Sequence, residues 1–467
     1  MIFPKSMNLR TPLEFRYFSK NATCGSVLSS TWTLISVSAP VSPIDENEPT
    51  QAHLSIGDAT VDGLSMVLSF VTNAAVNATV RYGVQPDQLT TTSVGTYNTY
   101  AANMMCASPA NLTYAPYFCN PGYLHTASLA GLQPQQTYYY QYAAGGGWSD
   151  VASFQAPPPA GHPDTVRMAA FGDMGAFQTG TQGTLDRLYE HAPEFDMVLH
   201  IGDISYAEGN ALEWDHFGNE IFPLASRMPY QVSIGNHEYD YLVSGTNDPS
   251  LNGTTNGFHP VWGNYGSDSQ GECGVPTFYR FTAPHTANSN AVFWYAFGYG
   301  SVYIVQMSSE HDYTPGSAQY NWLEATLQTV DRKTYPWVVL TTHRPLYTSE
   351  NYAGDYVVSE HMQDCLEDLF LSTQVNLVLA GHYHSYERTC AVNKGVCVTG
   401  ADFGTVHVIV GMAGMSLDTA TYMKKDWSLF HDQVFGYSVL EANATTLALY
   451  YHHDANDEIA DFVVLSK

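Results

Sequence analysis

Three short apolar runs between residues 166 and 238 each end in polar residues: VRMAAFGDMG (166–175), MVLHIGDISY (197–206) and YQVSIGNHE (230–238). Apolar runs of four to eight residues bounded by glycine are typical of buried strands in a parallel sheet. In such sheets the binding site lies beyond the carboxyl ends of the strands. The polar residues at these ends are Asp173, Asp203, Tyr206, Asn236 and His237. The sequence therefore predicts a site where these three runs end.

Two further blocks repeat the pattern, WVVLTTHRP (337–345) and VNLVLAGHYH (375–384). The five blocks together offer seven candidate oxygen and imidazole donors and no thiolate: Asp173, Asp203, Tyr206, Asn236, His343, His382 and His384. Donors of this kind suit iron, zinc or manganese. Seven donors are too many for one ion unless a carboxylate bridges two ions, so the set indicates a dinuclear metal centre.

The motifs GDMG, GDISY, GNHE, LTTHRP and GHYH resemble the five metal-binding blocks of the plant-type, high-molecular-weight purple acid phosphatases, in the calcineurin-like metallophosphoesterase superfamily. The resemblance covers roughly residues 50–467, nearly all of the chain. It implies a ferric ion, Fe(III), and a second, divalent ion of zinc, iron or manganese. The implied ligands are Asp173, Tyr206 and His384 for the ferric ion, Asp203 as the bridge, and Asn236, His343 and His382 for the second ion.

One detail of the first two blocks distinguishes branches of the superfamily. Most members open with Asp-x-His and use that histidine as a ligand, whereas the equivalent position here is Gly175. The resemblance implies that Tyr206 supplies the missing ligand. Because a phenolate on ferric iron gives a purple colour, this exchange favours the iron–tyrosinate branch over the Ser/Thr phosphatases.

The implied activity is an acid phosphatase that hydrolyses phosphate monoesters. Two adjacent cations polarise the phosphoryl oxygens and acidify a bound water, so that a metal-bound hydroxide attacks phosphorus in line with the leaving alcohol. A phytase, or a phosphodiesterase or nucleotide hydrolase with the same centre, is the alternative. Specificity depends on loops such as 240–280 and 344–358, in which no pocket can be recognised.

His237 is not a ligand in the family pattern, so we expect it to bind phosphate or act as the general acid. The alternative is a supporting role in which it holds Asp203 or Asn236. We expect Asn236, His237 and Arg344 to bind substrate.

The sequence departs from the better-known plant pattern about ten residues after His343. Those members have one or two further histidines there, whereas this chain has Tyr-Ala-Gly at 352–354. The departure puts proton delivery in question, but not the metals. Substitute acids could be Glu310, His311 or Tyr347.

We expect three parts along the chain: an N-terminal extension (1–48), a fibronectin type III-like β-sandwich (49–157) and a layered α/β metallophosphoesterase domain (163–467). Period-two alternation broken by turn residues about every ten positions predicts the sandwich. Pro-rich residues 156–164 form the linker. The fold class is thus an α/β catalytic domain preceded by an all-β domain.

Within the catalytic domain, 30 residues separate Asp173 from Asp203 and 33 separate Asp203 from Asn236, which suits one βαβ crossover each. Predicted helices lie in residues 179–191, 317–330 and 359–372. Residues 292–312 read as two strands joined by a glycine-rich turn.

Seven cysteines are spread over the chain. Cys106 and Cys119 bracket an insertion in the sandwich, and we expect them to pair and to keep this insertion on the non-catalytic domain; two buried thiols are the alternative. Cys390 and Cys397 are expected to pair across a hairpin. An ion pair between Glu387 and Arg388 is expected to fix the loop after the last ligand block.

Composition limits the partners and the location. A net charge of −27 makes nucleic acid and anionic membranes unlikely partners. No apolar stretch is long enough to span a membrane. We expect a small-molecule phosphoester substrate, a monomer or homodimer, and a secreted, extracellular, vacuolar or cell-wall location, which suits the acidic composition. Five sequons could carry glycans if the chain enters the secretory pathway, at Asn21, Asn77, Asn111, Asn252 and Asn443. Residues 25–41 could be a late signal sequence, or else part of a disordered arm or of a wrongly assigned start.

Two hypotheses from other classes compete. In the first, the sandwich domain binds carbohydrate or cell wall and the phosphatase fold is a relic; the intact donor set argues against this. In the second, iron cycling between valence states generates reactive oxygen as a side activity. Neither displaces phosphoester hydrolysis.

Overall fold

The computed structural model describes residues 14, 16–20, 32–40, 45–58, 64–114, 116–239, 247–251, 258–352, 354–400 and 402–467. Cys24 and the sequons at Asn21 and Asn252 lie outside these ranges. The candidate signal segment 25–41 lies outside them at 25–31 and at 41. None of the described helices is both long and apolar enough to cross a membrane.

The N-terminal part is all β. Its strands are β1 (Arg16–Lys20), β2 (Trp32–Val37), β3 (Thr50–Ile56), β4 (Leu64–Thr72), β5 (Thr79–Gly83), β6 (Thr91–Val94), β7 (Thr96–Asn98), β8 (Tyr123–Leu132), β9 (Thr137–Ala143) and β10 (Ala152–Gln155). Strands β1 and β2 pair as an antiparallel ribbon. The others form two four-stranded sheets, ordered β3-β4-β8-β7 and β10-β9-β5-β6. Leu54 and Leu68 of one sheet share a core with Val80 and Tyr140 of the other, so the sheets pack face to face as the predicted sandwich.

The catalytic part alternates strands and helices. Its strands are β11 (Val166–Phe171), β12 (Met197–His200), β13 (Tyr230–Val232), β14 (Tyr295–Tyr299), β15 (Val302–Gln306), β16 (Trp337–Thr342), β17 (Leu377–Ala380), β18 (Tyr386–Asn393), β19 (Val396–Cys397), β20 (Thr405–Val410), β21 (Ser428–Asp432), β22 (Gly436–Ala442), β23 (Thr446–His453) and β24 (Ile459–Ser466). Its helices are α1 (Thr181–His191), α2 (Ala211–Ala225), α3 (Val275–Arg280), α4 (Ala318–Thr329) and α5 (Tyr356–Ser372). The two strands expected in residues 292–312 are β14 and β15, paired antiparallel.

Two mixed sheets form the centre of this domain. One is ordered β13-β12-β11-β22-β23-β24; the other is ordered β14-β15-β16-β17-β20-β18-β19, with β21 beside β18. Strands β11, β12 and β13 run parallel, and α1 and α2 lie in the two crossovers between them, as the spacing of the motifs predicts. Strands β15, β16, β17 and β20 are parallel in the second sheet. The apolar runs therefore belong to two sheets, a division that the run pattern alone does not show.

The sheets stack face to face, and helices cover their outer faces. Strand β16 shows why its run is continuously apolar: Val339 lies in the core between the sheets, whereas Val338 and Leu340 lie in the core shared with α4 and α5. Helices α1 and α2 cover the other sheet through residues such as Leu188 and Trp214. Helix α2 is implied by the spacing of the motifs, but its own residues do not predict it. It contains Gly218 and Pro223, which lower helix propensity, and burial of one apolar face stabilises it.

The disulfides correct one expectation and confirm another. Cys106 pairs with Cys273 of the catalytic domain, not with Cys119. The insertion packs between its own sandwich and the catalytic domain. Met105 shares a buried cluster with Leu124 of β8 and Val275 of α3, and the Cys106 amide donates to Gly271 O at 2.9 Å. Cys390 and Cys397 pair as expected, across the turn between β18 and β19.

The expected ion pair between Glu387 and Arg388 is absent. Adjacent residues of β18 point to opposite faces of the sheet, which separates their side chains. Arg388 binds Asp461 with its Nε and Nη2 atoms at 2.6 and 2.9 Å. Glu387 instead accepts from the Ser349 amide at 2.8 Å.

Candidate metal centre

All seven candidate donors meet where five strands end. Asp173 follows β11, Asp203 and Tyr206 follow β12, Asn236 follows β13, His343 follows β16, and His382 and His384 follow β17. Because both sheets direct the carboxyl ends of these strands to the same edge, residues up to 211 positions apart become neighbours. The Asp173 and Asp203 side chains and the His343 ring are almost completely buried.

Four of the donors adopt backbone conformations that are unfavourable for residues with a Cβ atom. The φ angles are 60° at Asp173, 48° at Asp203, 51° at Tyr206 and 73° at His382. Such left-handed conformations cost on the order of 1–3 kcal/mol each and cluster at functional sites. Because four of the seven donors have such conformations, we infer that the surrounding fold stabilises a strained backbone that directs these side chains to one point.

Asp173, Tyr206 and His384 form the first half of the cluster. The Tyr206 hydroxyl lies 3.2 Å from Asp173 Oδ1 and 3.0 Å from His384 Nε2. His384 Nε2 lies 3.6 Å from Asp173 Oδ1. Single donor atoms of Asp173, Asp203 and His384 all lie within 4.8 Å of one another, close enough to bind one cation.

Asn236, His343 and His382 form the second half. Asn236 Oδ1 lies 2.9 Å from His343 Nε2 and 2.9 Å from His382 Nδ1. Asp203 Oδ2 lies 3.3 Å from His343 Nε2. Asp203 thus reaches both halves, which is the position that a bridging carboxylate requires.

Each of the three histidines has one ring nitrogen bonded to an oxygen outside the donor set. The pairs are His343 Nδ1 with Ile201 O at 3.1 Å, His382 Nε2 with Asp355 Oδ1 at 3.2 Å, and His384 Nδ1 with Ser416 O at 2.9 Å. Because carbonyl and carboxylate oxygens accept hydrogen bonds, these nitrogens carry a proton, and the opposite nitrogens face the donor cluster. In the second half, His343 Nε2 and His382 Nδ1 both point at the carbonyl oxygen of Asn236, so three atoms that can bind a cation converge. The donors therefore fit a metal centre.

The electrostatics of the cluster are those of a cation site. Burial raises the pKa of Asp173 well above its usual range, and the neighbouring Asp203 raises it further. Burial lowers the pKa of His343, but Asp203 and Asp173 outweigh this and raise it to about 10. Burial and the same carboxylates raise the pKa of Tyr206 well above its usual value. Without a cation, the site is stabilised only by protons shared among these groups.

His237 lies beside the donors and not among them. Its Nδ1 is 2.9 Å from Glu208 Oε1, and its Nε2 is 3.9 Å from Asp203 Oδ2. The ring centroid is 4.5 Å from that of Tyr206. Burial lowers the pKa of His237, but Asp203 and Glu208 outweigh this and raise it to about 9. The side chain is 22% exposed, so a ligand entering the site can reach it.

Arg344 does not occupy the place expected of a substrate-binding residue. Its side chain is 2% exposed and is bound to Glu310 at 2.8 Å and Asp355 at 3.0 Å. Strand β16 ends at Thr342, and the chain after it places the Arg344 guanidinium between Glu310 and Asp355, away from solvent. Arg344 thus contacts residues that support His382, and the expected contact with substrate stays a prediction.

None of the three suggested substitute acids is free to face the donors. His311 and Tyr347 point to other parts of the domain, and Glu310 is paired with Arg344. His311 packs against Tyr239 with ring centroids 4.1 Å apart. The Tyr347 hydroxyl donates to Glu367 at 2.6 Å. Glu310 binds Arg344. The site itself gives no support for any of them as a proton donor.

Several supporting residues were not singled out in the sequence. Glu238 accepts from the amides of Ile204 and Gly235 at 2.7 and 3.0 Å, and so ties the second ligand block to the third. Other carboxylates hold the donors directly: Asp268 accepts from Asn236 Nδ2 at 3.0 Å, Asp355 contacts His382, and Asp418 accepts from the His384 amide at 2.8 Å. Glu238 was accessible to prediction because it completes the GNHE motif; the others lie far away in the sequence.

The glycines beside the donors act mainly by being small. Gly202 has φ +74°, as expected for a sharp turn. At Gly235 and Gly381, however, an added Cβ would collide with the carboxylates of Asp203 and Asp173. These two glycines let the backbone approach the donors closely, whereas Gly202 also provides a left-handed turn.

Three family models match the chain in succession. They are described as the N-terminal domain of purple acid phosphatase over residues 49–156, calcineurin-like phosphoesterase over residues 166–386, and iron/zinc purple acid phosphatase-like protein C over residues 404–462. The order of the models follows the order of the sandwich and the two halves of the layered domain.

Two similar proteins and one solved structure extend this finding. A protein of Arabidopsis thaliana named probable inactive purple acid phosphatase 27 is 34% identical over 460 residues, which is 92% of this chain and 71% of that protein. A Hordeum vulgare protein named nucleotide pyrophosphatase/phosphodiesterase is 35% identical over 344 residues, 68% of this chain and 88% of that protein. A purple acid phosphatase from seeds of yellow lupin (Lupinus luteus) has a TM-score of 0.82 and 30% identity, covering 98% of this chain and 80% of the lupin chain.

Proposed function

Since the chain belongs to the purple acid phosphatase family of metallophosphoesterases, we propose that it is an acid phosphatase that hydrolyses phosphate monoesters at a dinuclear centre. The centre would contain Fe(III) and a divalent zinc, iron or manganese ion. The observation that carries the proposal is the convergence of His343 Nε2 and His382 Nδ1 on Asn236 Oδ1, each at 2.9 Å. The Arabidopsis relative bears a name that marks it as inactive, whereas in this chain no donor of the family pattern is replaced.

The donors divide between two ions according to their distances. Asp173, Tyr206 and His384 would hold the ferric ion, and Asn236, His343 and His382 would hold the divalent ion. Asp203 would bridge them, which agrees with its reach into both halves of the cluster. When bound, the two ions would neutralise charge on the phosphoryl oxygens and acidify a water molecule.

His237 is the proposed proton donor to the leaving oxygen. Glu208 holds its Nδ1, which leaves Nε2 available on the side of Asp203. Asn236 and His237 are the proposed phosphate contacts, because both border the donors and His237 is partly exposed. The supporting role remains the alternative for His237, since its backbone amide already donates to Asp203 Oδ1 at 3.0 Å.

The proposed division of the chain is an extension (1–48), a sandwich (49–157) and a catalytic domain (163–467). The proposed location is outside the cell or in the vacuole. Two disulfides support an oxidising compartment, and the sequon residues Asn77 and Asn111 are exposed and thus accessible to glycosylation.

A second candidate is hydrolysis of nucleotide diesters or pyrophosphates. The observation in its favour is the Hordeum vulgare relative, whose name states such an activity and which this chain matches over most of that protein's length. The same two-metal chemistry serves both substrate classes. The two proposed functions therefore differ in the residues that contact the leaving group and not in the metal donors.

The test compares p-nitrophenyl phosphate with the p-nitrophenyl ester of thymidine 5′-monophosphate at pH 4–7. We expect faster turnover of the monoester, and loss of turnover in an Asp203→Asn variant that still folds. Faster turnover of the nucleotide ester would favour the second candidate. Absence of turnover of both substrates, in protein shown to contain two metal ions, would contradict both.

A further inference from the structure

Four side chains, three of them buried and one partly buried, form one network beside the second half of the donor set. This Arg344 cluster consists of Arg344, Glu310, Asp355 and His382. Arg344 Nε donates to Glu310 Oε1 at 2.8 Å, and Arg344 Nη1 donates to Asp355 Oδ1 at 3.0 Å. Asp355 Oδ1 lies 3.2 Å from His382 Nε2. One guanidinium therefore spans two carboxylates, one of which contacts a proposed metal ligand.

The surroundings hold the guanidinium in place. Its central carbon lies 4.7 Å from the centre of the Tyr265 ring, which covers one face. Ser309 Oγ accepts from the Arg344 amide at 2.9 Å and donates to Glu310 Oε1 at 2.8 Å. Because Glu310, Arg344 and Asp355 are all nearly inaccessible to solvent, an unpaired charge here would be costly. The geometry of the fork is therefore fixed.

Asp355 Oδ1 receives hydrogen bonds from three directions. The donors are Arg344 Nη1, Asn264 Nδ2 at 3.1 Å and His382 Nε2. Arg344 and Asn264 fix this oxygen, and His382 Nε2 lies beside both Asp355 Oδ1 and Arg344 Nη1, the latter at 3.3 Å. This arrangement directs Nδ1 of the same ring to Asn236. Partners of this kind fix the tautomer and direction of metal-ligating histidines, and their loss typically weakens metal binding about 10–100-fold.

The cluster also couples two ligand blocks that are distant in sequence. Arg344 directly follows His343, and it reaches Asp355 just before α5, which leads to the block containing His382. A displacement of Arg344 would act on both histidines that face Asn236. In the other half, Tyr206 and His384 contact no member of the cluster among the contacts described above. Asp173 contacts the cluster through the backbone, by accepting from the His382 amide at 2.9 and 3.1 Å, and not through the His382 ring.

We propose that Arg344 is a positioning residue that sets the affinity of the divalent-ion site, acting through Asp355 on His382, and that it does not contact substrate. This inference rests on the proposed dinuclear centre. It assigns Arg344 a role in retaining the divalent ion and no role in retaining the ferric ion. The consequence is an asymmetric defect on mutation, with one ion lost before the other.

The test is Zn²⁺ binding to metal-free full-length protein, measured by competition with a chromophoric chelator. Arg344→Met is the main variant, and Arg344→Lys is the conservative one, because lysine keeps the charge but cannot span both carboxylates. Arg280→Met is the control: Arg280 is equally buried and bound to Asp215 at 3.0 Å, but it lies at the contact with the sandwich domain.

We expect Arg344→Met to bind one of two zinc ions about 10–100-fold more weakly while the other is bound as in the wild type. Arg344→Lys should show a smaller loss at the same site, and Arg280→Met no change at either site. Wild-type affinity at both sites in folded Arg344→Met, or an equal loss at both sites, would overturn the inference. If Arg344→Met does not fold, Asp355→Asn replaces it, with a loss at one site expected and unchanged affinity contradicting the proposal.

If the proposed dinuclear centre does not exist, the same zinc-binding measurement gives a different result. A wild-type protein that binds fewer than two zinc ions would contradict the dinuclear centre before any variant is compared. A wild type that binds two ions, with variants that do likewise, would leave the centre intact and overturn only the role of Arg344.

Discussion

A Cβ atom placed on Gly175 would lie 2.8 Å from Cδ2 of the Tyr206 ring. The first ligand block and the tyrosine of the second block therefore compete for the same space. Most members of the superfamily have a histidine ligand where this chain has Gly175. The absence of a side chain at 175 is what permits the Tyr206 ring to reach Asp173 and His384, so the two differences from the common pattern form one structural exchange.

Substitution of Gly175 should displace Tyr206. Gly175 has φ +67°, so Gly175→Ala adds both backbone strain and a collision with the ring. We expect weakened binding of the ion held by Tyr206, measured by metal content after dialysis against a chelator.

Gly131→Ala is the control for this substitution. Gly131 has a similar φ of +69° with no atom within 4 Å of the added Cβ. It should lose about 1 kcal/mol of folding stability through strain and retain both ions. Equal metal retention in both variants would contradict the steric exchange.

His237→Gln should lower kcat about 10²–10⁴-fold while both ions remain bound, if His237 donates the proton. Metal content and kcat measured on the same preparation distinguish the two roles. Metal loss in step with kcat would instead support the alternative in which His237 holds Asp203. Glu208→Gln, which only loosens His237 Nδ1, should cause a smaller loss of kcat and no loss of metal.

Removal of the Cys106–Cys273 disulfide should destabilise the protein more than removal of Cys390–Cys397. The first closes a segment of 167 residues and joins the two domains, whereas the second closes only 7. Loop entropy predicts losses of about 5 and about 2 kcal/mol, respectively, in the free energy of unfolding. Urea unfolding of Cys106→Ala/Cys273→Ala and Cys390→Ala/Cys397→Ala checks the order, and equal losses would contradict it.

Asp454 should make folding less favourable as the pH rises from 4 to 7. Burial raises its pKa to about 6, and hydrogen bonding from Thr184 and the charge of Arg187 only partly offset this. The folded state thus keeps the proton more tightly than the unfolded chain, so the stabilisation is complete below about pH 4 and is lost as the pH passes 6. The loss is at most about 3 kcal/mol.

In Asp454→Asn the side chain at position 454 cannot ionise, so the variant should not lose folding stability through this residue as the pH rises. Its free energy of unfolding should therefore rise relative to the wild type between pH 4 and pH 7. Urea unfolding of both proteins at several pH values measures the difference. Parallel curves for the two proteins would contradict the assigned pKa.

The donor positions could be predicted because each follows a buried strand, and parallel strands of the two sheets bring their carboxyl ends to one edge. The residues that hold the donors in place could not be predicted from the sequence. Asp268 and Asp355 belong to no strand-end motif, and their contacts with Asn236 and His382 arise only from the packing of distant loops. Arg344 shows the same limit, since its place next to His343 in sequence does not reveal that it faces inward.

The errors in the fold have a similar origin. The pairing of Cys106 with Cys119 was inferred from separation along the chain, but the insertion docks on the catalytic domain and brings Cys106 to Cys273. The bounds of helix α2 were not predicted because Gly218 and Pro223 oppose a helix locally, while the burial that stabilises it is a tertiary effect. The sandwich was predicted because its periodicity is local, and the βαβ crossovers were predicted from the spacing of the ligand motifs.

The visible absorption spectrum of the purified protein, compared with that of Tyr206→Phe, tests the central claim most directly. Burial and two carboxylates oppose ionisation of Tyr206, so a phenolate at this position requires a cation. We predict a broad purple band in the wild type that is absent from the variant, while the variant still binds the divalent ion. A wild type that contains two metal ions and hydrolyses phosphoesters but is colourless would contradict a ferric ion on Tyr206.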